Sequence, residues 1–92
     1  MTKTDKALAK MRQSPTSIRF EELERVCVEF FGDPRQSGTS HQVYATPWRG
    51  DPRVNIQNKG GMAKAYQVRQ VLDAIDKLKT MQDEDDSKEE EK

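Results

Sequence analysis

Two stretches of the chain repeat apolar residues at helical spacing. In residues 20–31, Phe20, Leu23, Val26, Cys27, Phe30 and Phe31 fall at the i, i+3, i+4, i+7 positions of one buried face. Glu21, Glu22 and Glu24 lie at its start, where the helix dipole favours negative charge, and Gly32 with Asp33-Pro34 stops it. In residues 64–81, Tyr66, Val68, Val71, Leu72, Ile75 and Leu78 mark the packing face of a second helix. Between the two helices the period falls to two. Residues 41–46 and 53–57 alternate as strands, with Val54 and Ile56 on one side and Arg53, Asn55 and Gln57 on the other. The turn signal from Pro47 to Pro52 joins them as an antiparallel hairpin. A further strand near Arg35 to Ser37 is weakly marked, and Asn58-Lys59-Gly60-Gly61 reads as a flexible loop.

The order predicts an α+β domain: helix, two- or three-stranded antiparallel sheet, helix, with the helices packed on one sheet face. The other face is left to solvent or a ligand. Residues 1–17 form an N-terminal extension with a short, loosely docked helix, because Ala7, Leu8 and Met11 make only a thin apolar stripe. Residues 18–81 form the domain, and residues 82–92 a disordered acidic tail.

Charge sharpens this picture. The 92 residues carry no net charge, yet residues 1–81 hold fourteen Lys and Arg against nine Asp and Glu, a net of +5. The tail cancels it with seven acids and two lysines. From Arg35 to Arg69 six basic residues face Asp51 alone. A basic body suits an anionic partner such as nucleic acid; a tethered acidic tail can compete for the same face. One cysteine excludes an internal disulfide. There is no apolar run of membrane-spanning length and no signal-peptide pattern, so a cytoplasmic protein is expected. Phosphate-loop and metal-ligand motifs are missing, and no cofactor is expected.

The single histidine, His41, is then the one side chain that titrates near neutrality without special help. It follows the small, polar run Ser37-Gly38-Thr39-Ser40. On its strand His41, Val43 and Ala45 share one face, and Gln42, Tyr44 and Thr46 the other. If Tyr44 packs under the helices, His41 faces outward; if Val43 does, His41 is buried near the core. The alternation leaves both open. An outward histidine among cations fits RNA cleavage, because RNA brings its own 2′-hydroxyl nucleophile.

The stretch Thr39-Ser40-His41-Gln42-Val43-Tyr44 resembles the hallmark of HicA toxins, glycine or serine, serine, two histidines, an apolar residue and an aromatic. Val54-Asn55-Ile56-Gln57, a glycine-containing loop and Ala63 to Leu72 are similar to the last strand and final helix of one HicA branch, and Ile18-Arg19-Phe20 to its entry into the first helix. The resemblance spans roughly residues 18–79. It implies a fold similar to the double-stranded-RNA-binding domain and a metal-independent endoribonuclease that cleaves mRNA, with His41 catalytic. It also implies a HicB-type antitoxin as protein partner. Gln42 departs from the pattern: it hydrogen-bonds but cannot titrate. Candidate RNA contacts are Ser40, Gln42, Trp48, Lys59, Lys64 and Arg69, with Trp48 stacking on a base, capping the core edge or meeting the antitoxin. The alternatives are a non-catalytic RNA-binding module of the same fold and a protein-interaction adaptor that uses the sheet face.

Overall fold

The structure is a computed structural model that describes residues 2–37, 41–50 and 52–90; the side chains of residues 36–37 and 83–90 fall outside that description. Three helices, α1 (Lys3–Gln13), α2 (Phe20–Phe31) and α3 (Ala65–Glu90), flank four strands, β1 (Gln36–Ser37), β2 (His41–Tyr44), β3 (Val54–Lys59) and β4 (Met62–Ala63). The strands form one antiparallel sheet in the order β1-β2-β3-β4. The chain is thus an α+β domain with the expected hairpin at its centre.

Side-chain alternation along the central pair assigns the faces. The register sets Gln42 opposite Ile56 and Tyr44 opposite Val54, and Tyr44, Val54 and Ile56 are buried. These residues meet Leu23, Val26 and Cys27 of α2 and Val68, Val71 and Ile75 of α3 in one core. Burying a side chain of this size contributes about 1.5–3 kcal/mol, so the inner face of β2 and β3 fixes how the sheet sits under the helices. His41, Val43, Asn55, Gln57 and Lys59 belong to the opposite face.

The N-terminal helix is more firmly held than its thin stripe predicted. Ala7, Leu8 and Met11 are all buried, with Met11 wholly inaccessible. Thr2 and Asp5 form a reciprocal capping box at the start of α1. Lys10 Nζ lies 3.0 Å from Glu22 of α2, and Arg12 donates at 2.8 Å to Asp76 of α3. A short stripe suffices because two helices receive it. These acids answer in kind. Partial burial works to raise the Glu22 carboxyl, but the Lys10 ammonium and the Arg19 N–H outweigh it and hold the group below its ordinary value. The Arg12 hydrogen bond does the same for Asp76.

The loop expected at residues 58–61 is a tight hairpin turn. Lys59 pairs with Met62, so Gly60 and Gly61 alone turn the chain, at φ 59° and 88°. Positive φ at both central residues is the geometry that matches strand twist, and glycine reaches it without strain. Asn58 Oδ1 accepts the Gly61 N–H at 2.7 Å. Beyond β4, Ala63 donates to the Ile18 carbonyl and Phe20 to that of Gly61, so the chain entering α2 covers this sheet edge.

At the other end of the chain α3 continues past the boundary expected at Met81. No Gly or Pro follows Gly61 to interrupt the helix, and Lys, Glu and Gln are good helix formers. Ile75 is buried, Leu78 and Met81 are half-buried and Gln82 is exposed. No helix among the described residues is long and apolar enough to cross a membrane.

Candidate functional site

His41 opens β2 and is exposed. Of the two orientations the sequence allows, the structure takes the one with Tyr44 inside and His41 outside. The register sets His41 against Gln57 of β3. The Gln57 N–H is given to Gln67 Oε1 at 2.8 Å, on the side away from β2. The His41–Gln57 pair therefore exchanges no ladder hydrogen bonds, and in such pairs the side chains of facing residues approach closest. Lys59 follows two residues after Gln57 on the same face, exposed and diagonal to His41. An imidazole, a carboxamide and an ammonium thus share one end of the open sheet face.

Gln42 does not join them. Period two turns it inward, where its amide donates to Glu24 Oε2 of α2 at 2.5 Å and its carbonyl accepts the Tyr44 hydroxyl at 2.6 Å. An RNA contact through Gln42 is set aside on this geometry, since its amide is occupied on the helix side. Gln42 is thus a link between the sheet and α2. Burial, with the thiol of Cys27 and the carboxylate of Glu24 nearby, pushes the Tyr44 hydroxyl above its ordinary value and keeps it a donor. Burial likewise raises the Cys27 thiol, which is a core group.

The remaining sequence candidates are dispersed. Ser40 lies outside the described residues. Trp48 is half-buried against the core, as the core-edge alternative had it. Its indole N–H donates to the Pro52 carbonyl at 3.1 Å, and the Lys77 ammonium lies 4.7 Å from the ring centroid. Lys64 precedes α3, and its carbonyl accepts the Gln67 and Val68 N–H groups. Its ammonium rests 6.0 Å from the centre of the Tyr66 ring. Arg69 projects from the solvent side of α3, in the helical layer. Arg69 is thus set apart from the open sheet face.

Arg35, Arg49 and Arg53 are not among the sequence candidates, yet they line one open cleft of about 680 Å³ with Val43, Tyr44, Ala45, Thr46, Trp48 and Gly50. All three arginines are exposed. They were visible only as contributors to the positive stretch from residue 35 to 69; their convergence depends on the β2–β3 connection folding back toward β1.

No family model, curated protein or solved structure matches this chain.

Proposed function

We propose that the domain is a metal-independent endoribonuclease that cleaves mRNA, with His41 as general acid or base, and that it is the toxin of a toxin–antitoxin pair restrained by a HicB-type protein. The observation that carries this reading is the exposure of His41 on the sheet face that the helices leave open. A bulky polyanion can reach an imidazole there without displacing a helix. The helix–antiparallel sheet–helix order, with the helices on one face, supports a double-stranded-RNA-binding-domain-like arrangement.

The chemistry asks little of the protein. The 2′-oxygen of the substrate attacks the adjacent phosphorus and the bond to the 5′-oxygen breaks. The products are a 2′,3′-cyclic phosphate and a 5′-hydroxyl. One proton leaves the 2′-hydroxyl and one reaches the 5′-oxygen; His41 mediates one of these transfers and water the other. Such general acid–base help contributes about 10²–10⁴-fold. In this reading Lys59, diagonal to His41, offsets charge building on the phosphate oxygens.

A second reading is RNA binding without cleavage, and the chain's one histidine favours it, because it leaves a single imidazole to serve two proton transfers. Expression of wild type and His41→Ala in cells, with growth and RNA integrity followed together, separates the two. Growth arrest with fragmented RNA only for wild type supports the nuclease. Arrest by both proteins with intact RNA supports binding alone.

A further inference from the structure

We infer that the cleft lined by Arg35, Arg49 and Arg53 is a phosphodiester subsite that holds the RNA strand next to the phosphate presented to His41; it rests on the reading of the domain as an RNA-cleaving protein. The three arginines come from two parts of the chain, Arg35 from before β1 and Arg49 and Arg53 from the β2–β3 connection, Arg53 immediately before β3. Folding draws them to one concavity although like charges repel. Among the described residues no carboxylate lines the cleft, and none of the three arginines is in an ion pair. Three convergent guanidiniums are complementary to phosphate, which their planar forks bind in bidentate fashion.

The rest of the lining narrows the ligand. Val43, Ala45 and Trp48 supply an apolar wall beside the cations. Trp48 is held by its bond to the Pro52 carbonyl and by Lys77 over its ring. Apolar lining with a few convergent charged groups, at this volume, is the character of a small-molecule-sized site. A bare inorganic anion would leave the apolar part unused, whereas a nucleotide unit uses both. Continuity with the catalytic face points to a strand and not a free nucleotide. Val43 lines the cleft and follows His41 by two residues on the same face, roughly 7 Å along the strand. Adjacent nucleotides of one RNA strand can therefore occupy the cleft and approach His41 together.

Trp48 is the only tryptophan, so its fluorescence reports occupancy of the cleft directly. The experiment titrates the full chain carrying His41→Ala with a short 2′-O-methyl RNA, which cannot be cleaved, over a range of salt. Saturable change in Trp48 emission is expected. Adding Arg53→Gln should weaken binding about tenfold, the size of one lost charged hydrogen bond. It should also make the dependence of log affinity on log salt shallower by about 0.7. Arg53→Lys should keep the salt slope. Unchanged affinity and slope in the double variant Arg49→Gln/Arg53→Gln would overturn the subsite. So would inorganic phosphate binding as tightly as the oligonucleotide, which marks a small-anion site, or tighter capture of an acidic peptide, which marks a protein interface. If the oligonucleotide behaves as expected but the wild type never cuts RNA, the nuclease reading fails and the subsite stands. If wild type cuts RNA and the double-arginine variant binds and cuts it equally well, the subsite alone fails.

Discussion

Replacing Gln42 by Ala removes two hydrogen bonds at once, one to the Glu24 carboxylate and one from the Tyr44 hydroxyl. A bond to a charged group contributes about 1.5–3 kcal/mol and a neutral one about 1 kcal/mol. Gln42 and Glu24 are only half-buried, so water recovers part of the loss. The Tyr44 residue is 3% exposed, and its hydroxyl is the group left without a partner. The expected cost is about 2 kcal/mol, near the lower end of the sum. For a domain of this size that is a fall in Tm of about 8–16 °C. Tyr44→Phe should cost about 1 kcal/mol by itself. In the double variant the shared bond is lost only once, so the combined loss should be smaller than the sum by about 1 kcal/mol. Urea unfolding of the four proteins measures this cycle. Strict additivity would refute the Tyr44–Gln42 link. A Gln42→Ala protein of unchanged stability but weakened RNA binding would refute the inward orientation and return Gln42 to the RNA contacts.

Three further outcomes follow from the same packing. Met11→Ala should destabilise the domain by about 2–5 kcal/mol, because it empties a wholly buried site beneath α1; a loss under about 0.5 kcal/mol in urea melts, the scale of surface changes, would mean that α1 is undocked. Gly61→Ala should cost about 1–2 kcal/mol, since φ of 88° strains any residue with a Cβ even though nothing crowds the site; calorimetry should show the loss. Glu22 and Asp76 have folded pKa values below their unfolded ones, so their contribution is complete above the ordinary carboxylate range and is lost as pH falls through the depressed values. Urea midpoints should therefore drop below about pH 4, by under about 1 kcal/mol for each exposed pair, and Asp76→Asn should remove part of the drop.

Helices α2 and α3 and the β2–β3 hairpin were legible because each carries its own period, 3.6 or 2, over enough residues to show. Strand β4 was not, because Met62-Ala63 is too short for any period and is fixed by the glycine turn and by Ile18. The docking of α1 was underestimated for a related reason. Three apolar residues look weak until two other helices meet them, and nothing in the local sequence reports that meeting. Alternation showed that His41 and Tyr44 lie on opposite faces but not which is inside. The choice belongs to the core, where the Tyr44 ring fits among α2 side chains and its hydroxyl finds Gln42. The arginine cleft was the least legible feature, since its three cations lie up to eighteen residues apart in the chain.

The most direct test of His41 as the catalytic group is cleavage of a defined mRNA by the purified chain in EDTA, wild type beside His41→Ala. The expected result is wild-type fragments ending in 2′,3′-cyclic phosphate, formed about 10²–10⁴-fold more slowly by the variant while RNA affinity is retained. Fragments formed at an unchanged rate by His41→Ala, or RNA left intact by the wild type, would contradict it.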